Sequence, residues 1–154
     1  MADRPCVLIV EARFYADIAD QLAQGAATAL EAAGFDHERI EVPGVFELPA
    51  AVRMALLSME FHSGSHPYAG FLALGCVIRG ETDHYDHVCR EASRALMDLS
   101  TEYAIAFGFG VLTCETMEQA QARADIDGKN KGGEAAQACL AMMDVKRHFR
   151  LIQR

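Results

Sequence analysis

The chain is predicted to be an α/β protein, a three-layer α/β/α sandwich on a four-stranded parallel sheet in the order 2-1-3-4. Short apolar runs rich in β-branched residues alternate along it with longer segments whose apolar positions recur at helical spacing. Strands that alternate with helices pair in parallel through right-handed crossovers, which lays helices on both faces of the sheet. No internal repeat, linker or low-complexity segment breaks the pattern. The 154 residues are therefore expected to form one domain, 1–154, long enough to bury a core unaided.

Each element has its own warrant. Cys6 to Val10 is a β-branched run, followed by the turn Glu11-Ala12-Arg13-Phe14-Tyr15. A helix from Ala16 to Ala33 turns Ile18, Leu22, Ala26, Ala29 and Ala33 inward, with Gly34 as its stop. Arg39 to Val42 is the second strand, ended by Pro43-Gly44. Glu47-Leu48-Pro49 opens a helix with Leu48, Ala51, Val52, Ala55 and Met59 inward, and proline is tolerated in the first turn. A loop from His62 to Pro67 leads to the central strand, Gly70 to Leu74. Gly75 to His84 then reads as a Gly-containing turn into a helix starting near Thr82, with His84 one turn inside. Tyr85, Val88, Cys89, Ala92, Ala95, Leu96 and Leu99 share one face of that helix. Ala104 to Leu112 is the fourth strand, and Thr116-x-x-Gln119 resembles a capping box for a helix through Ala124. The polar link Asp125 to Asn130 precedes a last helix from Lys131, faced by Ala135, Ala136, Cys139, Leu140 and Met143.

Composition narrows the function classes. A formal net charge of −8 steers the protein away from nucleic acid and anionic membrane surfaces, but leaves small anionic substrates open, because only the local field matters to them. No stretch approaches the length of a membrane span, and the N-terminus has no signal-peptide pattern. A cytoplasmic protein is expected. Cys6, Cys76, Cys89, Cys114 and Cys139 lie scattered in apolar segments without a C-x-x-C pair, which reads as reduced core cysteine.

In a sheet of this topology chemistry gathers at the carboxyl ends of the strands. Those ends release Phe14, the Pro43 to Glu47 segment, the Arg79 to His84 turn and the Phe109 to Cys114 region. The backbone N–H groups at the start of the third helix suit an anion, Arg79 and Thr82 offer further donors, and His84 can move protons near neutral pH. The structural reading stands beside this one: Arg79 is then merely solvated, Phe14 packs on its own helix, and Glu47, Glu81, Asp83 and Asp86 serve the helix dipoles. Phe14 exposed at a strand end would instead stack on a planar ring.

Five pieces, in order and spacing, give the chain a family resemblance. They are Arg13-Phe14; Pro43-Gly44-Val45-Phe46-Glu47-Leu48-Pro49; Gly75-Cys76-Val77-Ile78-Arg79-Gly80-Glu81-Thr82-x-His84; Glu118-Gln119-Ala120-x-x-Arg123; and Asn130-Lys131-Gly132. Together they resemble the 6,7-dimethyl-8-ribityllumazine synthases, over nearly the whole chain. The resemblance implies a flavodoxin-like scaffold and the penultimate step of riboflavin biosynthesis. In that step 5-amino-6-(D-ribitylamino)uracil condenses with 3,4-dihydroxy-2-butanone 4-phosphate, releasing phosphate and water, with no metal or organic cofactor. Carried over by position, it implies that Phe14 stacks on the pyrimidine and that Val45, Phe46 and Glu47 bind the ring and ribityl chain. Cys76, Val77 and Ile78 would contact the pyrimidine largely through backbone. Glu81 and Thr82 match the phosphate-binding turn, and His84 the proton donor. Phe109 and Arg123 would come from the neighbouring subunit, Arg123 on the phosphate, with Lys131 close by.

Departures from the family pattern shape the remaining expectations. Tyr15 stands where members often have Asn. The extension before the first strand is short, where shell-forming members use a longer arm to add to a neighbour's sheet. A homopentamer is therefore expected over a sixty-subunit capsid. Other readings are a non-catalytic flavin or lumazine carrier, a structural shell protein, and a metal site around His84 and His87 with Glu81, Asp83 and Asp86. A carrier of an unphosphorylated ligand needs neither a phosphate-binding turn nor His84 with Arg123, and no second cluster with metal-ligand spacing accompanies the histidines.

Overall fold

The computed structural model describes residues 4–62 and 68–151. Most of the His62 to Pro67 loop expected from sequence lies outside them. Four strands, β1 (Cys6–Ala12), β2 (Asp36–Val42), β3 (Gly70–Ile78) and β4 (Phe107–Cys114), form one parallel sheet in the expected order β2-β1-β3-β4. Five helices join and cover them: α1 (Ala16–Ala32), α2 (Leu48–Phe61), α3 (His84–Glu102), α4 (Met117–Ala124) and α5 (Lys131–His148).

Alternation along the strands divides the core in two. Val7 and Ile9 of β1 with Leu72 and Leu74 of β3 bury against Ile18, Leu22 and Ala26 of α1 and Ala136, Cys139 and Met143 of α5. Leu8 and Val10 with Phe71 and Ala73 bury against Leu48 and Val52 of α2 and Val88, Ala92 and Leu96 of α3. The inward faces expected from helical period are the packed ones, except at Ala33, which is the exposed C-cap residue of α1, a helix that ends at Ala32. Gly34 ends α1 at φ +85°, a left-handed stop. Thr116 caps α4 by accepting from the Gln119 N–H at 3.2 Å, while the Gln119 side chain reaches back to the Glu115 N–H at 2.8 Å. The capping box is therefore present, shifted by one residue on its return bond. Among the described residues no helix is long and apolar enough to cross a membrane.

Several boundaries differ from expectation. β2 begins at Asp36 and not at Arg39, because Asp36 to Glu38 pair with Cys6 to Leu8. β4 runs from Phe107 to Cys114 and not from Ala104 to Leu112, because that is the stretch that pairs with Phe71 to Ile78. β1 continues through Glu11 and Ala12, because both pair with Glu41 and Val42 of β2. β3 continues through Ile78, because Gly75 to Ile78 pair with Val111 to Cys114 of β4. Gly75 is consequently not a turn residue: a Cβ there would lie 2.8 Å from Val45 Cγ2 and 3.0 Å from Ala12 Cβ, so the glycine admits the chain above it. Finally, α3 starts at His84 rather than near Thr82, which makes His84 the first helical residue and not one a turn inside.

Candidate functional site

At the carboxyl rim of the sheet, Phe14 follows β1 with its ring 75% exposed, meeting the edge of Tyr15 at a centroid distance of 5.0 Å. It does not pack on its own helix. Beside it, Val45–Glu47 form a single 3-10 turn against β3 and α3. Val45 is buried over Gly75, whereas Phe46 and Glu47 point outward, Glu47 immediately before α2 without a side-chain capping bond.

Strand lengths decide what lies between these groups. β1 pairs with β3 only as far as Leu74, so from Gly75 to Ile78 the β1-facing edge of β3 has no strand beside it. Cys76, Val77 and Ile78 therefore overhang into the rim on that side, and backbone groups on a strand edge without a neighbouring strand need other partners. The Cys76 thiol is buried, and that burial, followed by the nearby Cys114, pushes its pKa up to about 12. It is a neutral thiol and no nucleophile.

The turn after β3 is partly committed already. Thr82 Oγ1 accepts the His84 N–H at 3.3 Å, and Glu81, Thr82 and His84 are all exposed. Arg79, expected to be either a donor for an anion or solvated, is exposed to solvent and engaged in surface pairs. Its guanidinium donates to Glu115 at 3.1 Å, lies 3.5 Å from Asp86 and covers the Tyr85 ring at 4.4 Å. Around the two histidines of the metal reading, His87 lies 3.3 Å from Asp83, and no metal-holding group of three or more side chains is present among the described residues.

Phe109, Arg123 and Lys131 sit elsewhere. Phe109 is not at a strand end: it is the third residue of β4, opposite Ala73, and half exposed on that edge strand. With Arg123 of α4 and Lys131 of α5 it lines a cleft of about 300 Å³ that extends to Leu112 and Thr113, the β4 partners of Cys76 and Val77, but is not lined by Phe14, Phe46 or His84. Local structure holds both cations in place. Arg123 Nη1 donates to Gln119 O at 3.2 Å within its capped helix. Asn130, left-handed at φ 46°, caps α5 through its Oδ1 and the Gly133 N–H. α5 approaches α1 so closely there that a Cβ on Gly132 would lie 2.0 Å from Leu22 O. Lys131 pairs with Glu134 at 3.0 Å, a partner that the i, i+3 spacing signalled, and among the described residues no carboxylate pairs with Arg123.

Comparison with known proteins meets this geometry. The family model for 6,7-dimethyl-8-ribityllumazine synthase matches residues 5–147. The chain belongs to the 6,7-dimethyl-8-ribityllumazine synthase family. A lumazine synthase of Paramagnetospirillum magneticum is 52% identical over 145 residues, covering 94% of this chain and 97% of that one. One from Agrobacterium fabrum is 52% identical over 144 residues, covering 94% and 96%. One from Methylorubrum extorquens is 52% identical over 141 residues, covering 92% and 80%. The expectation of a lumazine synthase is met.

One group escaped the sequence reading altogether. Glu11, expected in a turn, is a strand residue only 1% exposed, held by Arg39 at 2.5 and 2.9 Å and by Arg13 at 3.0 Å. The signal was available, since Glu11 continues the alternation of Val7 and Ile9 onto the same face of the sheet.

Proposed function

We propose that the chain, as one cytoplasmic domain, condenses 5-amino-6-(D-ribitylamino)uracil with 3,4-dihydroxy-2-butanone 4-phosphate where the rim of one subunit meets the β4 cleft of the next. The observation that carries the reading is the overhanging edge of β3 beside Phe14. An unpaired strand edge next to an exposed aromatic ring suits a planar heterocycle whose rim alternates donors and acceptors. Phe14 stacks on the pyrimidine, Cys76, Val77 and Ile78 bond it through backbone, and Val45, Phe46 and Glu47 take the ring and ribityl chain.

The phosphate needs cations, and at the rim Arg79 is occupied by Glu115 and Asp86. Arg123 and Lys131 supply them across a subunit boundary, with Phe109 closing the ring pocket. On the rim side the first helical turn of α3 adds N–H donors beside Thr82, while the Glu81 carboxylate turns to solvent. His84, at the start of that helix, gives and takes protons during amine addition, water loss and phosphate departure. Holding an amine against a carbonyl supplies much of the acceleration, and a positioned histidine typically adds about 10²–10⁴-fold. Such sharing requires a closed ring of head-to-tail contacts, and a pentamer is the assembly we favour over a capsid.

The test is lumazine formation followed by absorbance against a protein-free blank, with His84→Ala in parallel. A clear excess over the blank that weakens in His84→Ala is the expected result. A rate equal to the blank, with tight binding of lumazine, would turn the reading toward a carrier.

A further inference from the structure

Beneath the exposed Phe14 lies a cluster of five charged side chains to which the reaction assigns no part. Arg13 stands at its centre, reaching carboxylates on three different elements: Glu11 of β1 at 3.0 Å, Asp20 of α1 at 2.6 Å and Glu41 of β2 at 3.5 Å. Its backbone N–H donates to Val42 O at 3.3 Å, fastening the turn to the end of β2. Glu11 is fully buried and is also gripped by both Nε and Nη2 of Arg39. The residue after Phe14 is fastened as well: Tyr15 packs on the core, and its carbonyl accepts the Ala19 N–H at 2.9 Å.

Phe14 itself meets only the edge of Tyr15 among ring contacts and otherwise stands in solvent. A ring without packing of its own keeps its direction only if the backbone on both sides is immobilised. We propose that Arg13 is a positioning residue for pyrimidine recognition, its three-carboxylate clamp fixing the chain from which Phe14 projects toward the β3 overhang. This rests on the reading above that Phe14 stacks on the pyrimidine. A planar guanidinium suits the task because its several N–H donors serve separate acceptors at once, whereas an ammonium is a single point charge.

Removing Arg13 leaves Glu11 still paired with Arg39, so Arg13→Ala is expected to fold. Asp20→Asn, at an exposed helical site, removes one arm of the clamp with less risk to the fold. The experiment measures steady-state constants for each substrate in Arg13→Ala, Arg13→Lys, Asp20→Asn and Phe14→Ala. Arg13→Ala is expected to raise the KM for the ribitylaminouracil about tenfold, the scale of a lost charge-assisted hydrogen bond, with the KM for the butanone phosphate and kcat nearly unchanged. Arg13→Lys should recover part of the loss, and Asp20→Asn should show about a threefold rise, a smaller share of the same loss. If Phe14→Ala raises that KM while Arg13→Ala and Asp20→Asn do not, the clamp is structural only and the inference fails. A parallel rise for both substrates would also overturn it. If Phe14→Ala itself leaves the ribitylaminouracil KM unchanged, it is the stacking reading that has failed, and the inference with it.

Discussion

The rim and the β4 cleft are built from opposite materials. The rim offers an exposed aromatic ring, an apolar turn and an unpaired strand edge, and its arginines are paired, Arg79 with Glu115 and Asp86 and Arg13 with Glu11, Asp20 and Glu41. The cleft offers cations: Lys131 with one carboxylate beside it, and Arg123 with none among the described residues. One half is suited to recognise a flat neutral ring, the other to hold a phosphate, and Phe14, Val45, Phe46, Glu47 and His84 do not line the cleft. A reaction that joins a pyrimidine to a sugar-derived phosphate needs both, and the proposed function has them meet across a subunit boundary. In the shared-site reading proposed above, association serves catalysis in a protein whose net charge of −8 by itself opposes self-association.

The sharpest way to break the comparison is to damage one half on each of two chains. His84→Ala weakens proton transfer at the rim and Arg123→Ala weakens phosphate binding in the cleft, so each variant alone, assayed with butanone phosphate well below its KM, should be far slower than the unmodified protein. When the two are dissociated, mixed in equal amounts and reassembled, a rim from one and a cleft from the other meet at random. About a quarter of the sites should then be intact, as closed head-to-tail symmetry requires. No recovery in a properly reassembled mixture would mean that each subunit completes its own site.

A smaller effect separates the halves by substrate. Arg123→Ala should raise the KM for the butanone phosphate about 10- to 100-fold, the range for losing a charge-assisted bond to phosphate, and leave the ribitylaminouracil unaffected. An unchanged phosphate KM removes Arg123 from the site.

The smallest effect concerns stability, where the two halves should behave alike. The Cys76 thiol under the rim and the Cys139 thiol of α5, the helix that carries Lys131, are both pushed from 9.0 up to about 12, chiefly by burial. The folded protein holds these protons more tightly than the unfolded chain does. The stability they contribute is therefore whole below pH 9.0 and is lost as the pH rises toward about 12. Melting temperature measured across that window should fall, and Cys139→Ala should flatten the fall. A flat profile for the unmodified protein would contradict the burial of both thiols.

Much of this molecule was legible before any coordinates. Helical and strand periods are local properties, and they yielded all five helices and the four strands. Gly34 and Thr116 with Gln119 marked helix ends by chemistry that acts within a few residues. Where the reading stopped short, at Glu11 and at Gly75 to Ile78, the cause was the same. Polar or glycine residues look like turns until a neighbouring strand claims their backbone, and pairing with β2 and β4 is not a local property.

The candidate site divides along that same line. The sequence by itself determined the residue types, their order and the family they resemble, because motif spacing survives without a fold. Only the tertiary structure decided that β3 outruns β1, that Arg79 is spent on its neighbours, and that Glu11 is buried between two arginines. It also decided that Phe109 shares a cleft with Arg123 and Lys131 and not with Phe14. Each of these depends on strand length, register or the approach of elements distant in sequence, which are set by the packing of the whole core and are written in no single segment.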